Sequence, residues 1–205
     1  MELKPISKIA ILASGRGSNF EAIASAVISG DLPAEIVLIA SDKQEAPVLE
    51  KAKSKGLRVL AEKDQSALLG VLKSLQVDYV VLAGYMRILS KDFISAFADP
   101  RGFSRIVNIH PSLLPAFPGL ESYRKAFESG VKVAGVTVHF VDAGIDTGPI
   151  CAQESFEISD CKTLEEVEAR GLAVEHKLYA KTLNWILRNE FKINERGGRL
   201  HVQPY

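Results

Sequence analysis

The side chains best suited to chemistry sit in one short stretch, Ile106-Val107-Asn108-Ile109-His110-Pro111-Ser112-Leu113-Leu114-Pro115. The run opens apolar and β-branched and then meets a proline. It reads as a buried strand that stops at Pro111, which has no N–H to continue a ladder. Residues two apart on a strand point the same way, so Asn108 and His110 share a face at its carboxyl end. An amide can donate a hydrogen bond to an oxygen, and an imidazole can carry a proton. Together they suit a carbonyl oxygen on which negative charge develops; the plain alternative is a structural hydrogen-bonded pair. Asp142 and Asp146 lie in a glycine-rich loop, Asp142-Ala143-Gly144-Ile145-Asp146-Thr147-Gly148-Pro149, expected at the same sheet edge. A carboxylate near a histidine favours the imidazolium and fixes its ring. His139 precedes that loop on a strand whose alternation could turn it either way, and it reads as a structural histidine near the site. A metal site of His110, His139 and Asp146 would lack the short ligand spacings that usually announce one, so no metal is expected.

A second motif, Ser14-Gly15-Arg16-Gly17-Ser18-Asn19, follows a short apolar run. Closely spaced glycines let backbone N–H groups approach an anion, and the helix that follows points its positive end at it. The Lys-Ser/Thr pair of an ATP-hydrolysing loop is absent. A dinucleotide-binding pattern fails at its third glycine, where Phe20 stands, although Asp42 does end the next strand. A phosphate monoester suits this turn better than a pyrophosphate. A tight strand–helix turn with no ligand fits the same residues equally well.

The elements around these motifs alternate. Strands are expected at Lys8–Ala13, Glu35–Ala40, Leu57–Leu60, Asp78–Ala83 and Ile106–His110. Helices are expected from Ser18, as N-cap in a capping box with Glu21, to Gly30; over Ala46–Lys55; around Leu68–Leu75; and from a Ser90 cap through Phe97. Short connections between them predict an α/β fold, a doubly wound and mostly parallel sheet with helices on both faces. Ligands collect at the carboxyl ends of such strands, where both motifs and Gly84–Leu89 fall. Further along come a short helix over Ser122–Glu128, strands over Val133–Val141 and Ile150–Phe156, and a long helix from the Thr163/Glu166 capping box to about Arg188. A hairpin over Phe191–Val202 turns at Gly197-Gly198. With no repeat, linker or low-complexity tract, residues 1–205 read as one domain.

Charge balances at 25 basic and 25 acidic residues, with no long basic run, so nothing recommends a nucleic-acid partner. No stretch approaches a membrane span and no signal pattern opens the chain, which points to a cytoplasmic protein. Cys151 and Cys161 form no CxxC pair; Cys151, in an apolar run, reads as a core residue.

Four segments, Ser14–Asn19, Ala83-Gly84-Tyr85-Met86-Arg87-Ile88-Leu89, Asn108–Pro115 and Asp142–Pro149, occur in order between about residues 7 and 190. In this combination the chain resembles the phosphoribosylglycinamide formyltransferase family of folate-dependent formyltransferases. The resemblance implies a Rossmann-like formyltransferase fold. It also implies transfer of the formyl group of 10-formyltetrahydrofolate, the cosubstrate, to the amine of glycinamide ribonucleotide, a step of purine biosynthesis. By similarity Asn108, His110 and Asp146 are catalytic, and Gly15, Arg16, Gly17, Ser18 and Asn19 hold the substrate phosphate. Met86, Arg87, Ile88, Leu89, Asp142, Ala143, Gly144 and Ile145 line the folate pocket, and Glu175 contacts the ribose hydroxyls, where a bland reading would give it a solvated helix face. Direct attack by the amine needs neither a nucleophilic Ser or Cys nor a metal. The implied partners are small molecules, with no nucleic acid and no membrane, for a monomer or homodimer. Three other readings compete. Methionyl-tRNA formylation normally needs a further domain and a basic surface. Hydrolysis of 10-formyltetrahydrofolate belongs to relatives that usually carry an added N-terminal domain. A non-catalytic nucleotide- or NAD-binding module has no use for the Asn108, His110 and Asp146 set.

Overall fold

Alternation along each central strand divides the core into two layers. On β1 (Ser7–Leu12), Ile9 and Ile11 pack into one cluster with Phe20, Ile23, Val48, Leu178, Tyr179 and Leu183, while Ala10 and Leu12 pack into another with Leu68, Leu72, Phe93 and Phe97. The strands therefore carry apolar residues on both faces, as a sheet covered on both sides requires. The computed structural model describes residues 6–205; residues 1–5 of the expected unit lie outside the described residues.

After β1 come α1 (Ser18–Ile28), β2 (Ala34–Ser41), α2 (Pro47–Ser54), β3 (Val59–Ala61), α3 (Gln65–Ser74), β4 (Tyr79–Leu82), α4 (Lys91–Ala96) and β5 (Ile106–His110). These five strands pair in parallel, in the order β3-β2-β1-β4-β5. α5 (Ser122–Glu128) leads into β6 (Val133–Phe140) and β7 (Ile150–Glu157), which extend the sheet antiparallel beyond β5. The 24-residue α6 (Leu164–Leu187) returns across the first layer, and β8 (Phe191–Arg196) and β9 (Arg199–Pro204) form a separate hairpin. The expected mostly parallel sheet, with α1, α2 and α6 on one face and α3 and α4 on the other, is the fold observed.

Several ends behave as the sequence predicts. Ser90 and Thr163 accept hydrogen bonds from the N–H groups of Phe93 and Glu166. Gly30 follows α1 at φ 82°, and Gly197 and Gly198 carry the tail turn at φ 58° and 71°. Three details differ. Ser18 does not cap α1: Gly17 holds that place at φ 78° with no side-chain cap, and Ser18 is already helical. A Cβ on Gly17 would lie 2.6 Å from a methyl of Val48, so close contact with α2 sets the turn, and Glu21 turns to Lys51 Nζ at 2.6 Å. The third strand starts at Val59 rather than Leu57, because the Leu57 N–H still serves α2 by bonding the Ala52 carbonyl. α3 begins three residues before Leu68, capped by Asp64, whose carboxylate accepts from the N–H groups of Ser66 and Ala67.

One contact joins α6 to the centre of the sheet. The buried Tyr179 hydroxyl lies 2.9 Å from the carbonyls of both Leu82, at the end of β4, and Val107, near the start of β5. Tyr179→Phe removes this tie without removing the ring. It is expected to lower unfolding free energy by about 1–3 kcal/mol, read as an earlier midpoint in urea with an unchanged slope.

Candidate active site

β5 delivers its polar pair by parity. Ile106 belongs to the α3–α4 layer and Val107 and Ile109 to the other, so Asn108 and His110 follow Ile106, at the end where that layer opens into a cleft of about 610 Å³. The cleft lies beyond the carboxyl ends of β1, β4 and β5, where the strand order reverses about β1, the place where open α/β sheets bind ligands.

Antiparallel pairing of β5 with β6 sets Asn108 opposite His139 and His110 opposite Thr137. Directly opposed residues share a face, so the register settles the orientation that alternation left open for His139. Its Nδ1 lies 2.9 Å from the Phe140 carbonyl and its Nε2 3.1 Å from Asn108 Nδ2. Nδ1 therefore carries the proton and Nε2 accepts from the amide, a tautomer assigned from these partners. At 2% exposure, burial drives the His139 pKa below the ordinary histidine value of 6.5, against the opposing pull of the Phe140 carbonyl and the Asp146 carboxylate.

His110 is 4% exposed. Its Nδ1 lies 3.3 Å from Asp146 Oδ2, and its Nε2 lies 3.0 Å from the Phe117 carbonyl and 3.1 Å from the Ser122 hydroxyl. Asp146 adopts a left-handed backbone (φ 54°), a conformation aspartate takes more readily than most side chains. Its Oδ2 also accepts from the Gly119 N–H at 2.8 Å, and its Oδ1 faces His139 Nε2 at 3.7 Å. The loop returns tightly here, since a Cβ on Gly148 would lie 1.9 Å from the Phe140 carbonyl oxygen. Asn108, His110 and Asp146, separated by up to 38 positions, thus converge on one wall. His139 joins them, but its Nδ1 is committed to backbone. Among the described residues no group of three or more His, Cys, Asp or Glu is placed to hold a metal ion.

The remaining predicted residues distribute unevenly. Met86, Arg87, Ile88, Leu89, Asp142, Gly144 and Ile145 line the cleft, while Ala143 does not. Met86, Ile88, Leu120 and Ile145 expose large apolar surface at its rim. Of the first glycine turn only Asn19 reaches the wall; Gly15 and Arg16 are exposed, and Gly17 and Ser18 stand behind. Glu175 is 6% exposed rather than on a solvated helix face. Its Oε2 accepts from Asn19 Nδ2 and its Oε1 from the Tyr123 hydroxyl, both at 2.6 Å. Burial, and then the neighbouring Glu175, push the Tyr123 pKa far up, so its hydroxyl stays a donor.

Sequence reasoning missed Tyr123, Ser122 and Ser14. The Ser14 hydroxyl donates to Asp42 Oδ1 at 2.5 Å and accepts from the Met86 N–H at 2.9 Å, tying the first glycine turn to the loop after β4. For Tyr123 a signal existed: Gly171 lies four residues before Glu175 inside a long helix. A mid-helix glycine costs about 1 kcal/mol relative to alanine, and here a Cβ would sit 2.2 Å from the Tyr123 hydroxyl.

Comparison with known proteins agrees with this geometry. The formyl transferase family matches residues 7–183. Phosphoribosylglycinamide formyltransferase of Bacillus subtilis is 40% identical over 201 residues, covering 94% of this chain and 98% of its own. The Haemophilus influenzae protein of the same name is 39% identical, covering 93% and 92%. The crystal structure of glycinamide ribonucleotide transformylase 1 from Symbiobacterium toebii superposes with a TM-score of 0.89 at 39% identity, covering 97% of this chain and 94% of that one. With the match running through every strand that builds the cleft, the chain belongs to the formyl transferase family and, within it, to the phosphoribosylglycinamide formyltransferases.

Proposed function

We propose that this chain transfers the formyl group of 10-formyltetrahydrofolate to the amine of glycinamide ribonucleotide, a step of purine biosynthesis in the cytoplasm. The observation that carries the reading is the convergence of Asn108, His110 and Asp146 on one cleft whose lining also includes an apolar rim and the buried Glu175. Met86 to Leu89 and the Asp142–Asp146 loop receive the folate. The backbone of the Gly15–Asn19 turn takes the phosphate, and Glu175 takes the ribose hydroxyls.

In the reaction the amine attacks the formyl carbon and negative charge builds on the formyl oxygen. Asn108 has two amide N–H groups. His139, neutral and accepting at Nε2, holds one of them, which orients the other toward the cleft. That second N–H donates to the oxygen as charge develops, and the His110 ring, when it carries a proton, adds a positive charge beside it. The attacking nitrogen becomes an ammonium only in the tetrahedral intermediate, where Asp146, while steadying the imidazolium, takes its proton through water. The carbonyl re-forms as the bond from the formyl carbon to the folate nitrogen breaks, and that nitrogen leaves carrying the proton. The Gly119 N–H and the His110 ring keep the carboxylate in place. No acyl-enzyme forms on Cys151, which is buried and whose pKa is pushed far up by that burial.

His110→Ala is expected to lower kcat by about 10²–10³. Asp146→Asn is expected to lower it by about 10²–10⁴. Steady-state formyl transfer, with circular dichroism to confirm folding, checks both, and near-normal turnover in either variant would refute the catalytic assignment. His139 sets a pH dependence of stability. The unfolded ring binds a proton near 6.5 while the folded ring resists it. Its contribution is therefore complete above about 6.5 and is lost as pH falls below that value, by at most about 1.4 kcal/mol per pH unit. Urea melts between pH 7.5 and 5 should show this slope, and His139→Gln should flatten it.

A further inference from the structure

Asn19, Tyr123 and Glu175, which line the cleft, offer more acceptor capacity than the protein fills. Glu175 presents a buried carboxylate with room for about four hydrogen bonds, and the protein supplies two, from Asn19 Nδ2 and the Tyr123 hydroxyl. Asn19 Oδ1, beside it, is buried with no partner at all. The amide orientation follows from its neighbour: turned the other way, Asn19 would set its oxygen against the carboxylate. A buried polar atom left unpaired is costly, so this wall is built for a ligand that brings O–H or N–H groups.

We propose that Tyr123 is a positioning residue for a hydroxyl-reading subsite. By holding Glu175 Oε1 while Asn19 holds Oε2, it fixes the carboxylate so that its remaining lone pairs and Asn19 Oδ1 accept from the vicinal hydroxyls of the ribose. This rests on glycinamide ribonucleotide being the substrate. Three elements meet to make the subsite: α1 brings Asn19, α5 brings Tyr123 and α6 brings Glu175. Gly171 leaves the space in which the Tyr123 ring lies against α6 one turn before Glu175. Without the Tyr123 hydroxyl the carboxylate loses one of two restraints and can turn toward solvent in the cleft. Affinity for the hydroxyls then falls while the groups that handle the formyl transfer stay where they are.

The test is calorimetric titration of glycinamide ribonucleotide and of its 2′,3′-dideoxy analogue, without folate so that no turnover occurs, into the wild-type protein and Tyr123→Phe. The wild type is expected to prefer the parent by at least about tenfold, the scale of one hydrogen bond to a charged group. In Tyr123→Phe that preference should shrink by about three- to tenfold. Steady-state kinetics should place the loss in KM for glycinamide ribonucleotide and not in KM for the folate. Because the preference is a ratio within one protein sample, partial unfolding does not move it. An equal preference in both proteins would overturn the role of Tyr123. A wild type that binds parent and analogue equally would overturn the hydroxyl-reading wall while leaving formyl transfer standing. A wild type that binds neither would overturn the substrate assignment itself, and the wall's reading with it.

Discussion

The Asp146 carboxylate is the point on which the site is built. A charge drawn to 14% side-chain exposure must be compensated by hydrogen bonds and opposite charge, or it would not stay. Here the compensation comes from the His110 ring and the Gly119 N–H. They belong to the end of β5 and the loop after it, while the carboxylate itself comes from the loop between β6 and β7. Satisfying one carboxylate therefore closes three segments around one space. The left-handed backbone at Asp146 and the glycine-only approach of residue 148 to the Phe140 carbonyl show how tightly the loop turns to deliver that group.

The sheet supplies the fixed frame. Parallel pairing of β1, β4 and β5 gathers three carboxyl ends, and antiparallel addition of β6 sets His139 beside Asn108. A slip of one residue between β5 and β6 would send His139 to the other face, since side chains alternate with a period of two. The contacts that resist such a slip are local. Thr137 donates to the Ser112 carbonyl and accepts from the Leu114 N–H, while Gln153 Nε2 reaches Thr137 and the Leu114 carbonyl. The Ser-Leu-Leu-Pro loop is thus a strap that locks β5 to β6 and β7 just beyond His110.

The Asn19–Tyr123–Glu175 cluster follows a different logic. Its members line the same cleft and satisfy one another only in part. A buried Glu175 could not be read from α6, where Glu-His-Lys looks like a solvated helix face; only the resemblance singled it out.

Much of this protein is written in local chemistry. The alternation of β-branched runs with helical repeats, the glycines at helix ends and the caps at Ser90 and Thr163 depend on neighbours within a few residues, and so the order of elements and the parity of Asn108 and His110 could be read directly. Ser18 misled because its capping pattern competes with the close approach of Gly17 to Val48, 31 positions away, which no local rule contains. His139's face, the tautomer of its ring, Glu175's burial and Tyr123's part in holding it all depend on which strand or helix lies alongside. That is a matter of register and packing between segments distant in sequence, and only the folded chain decides it.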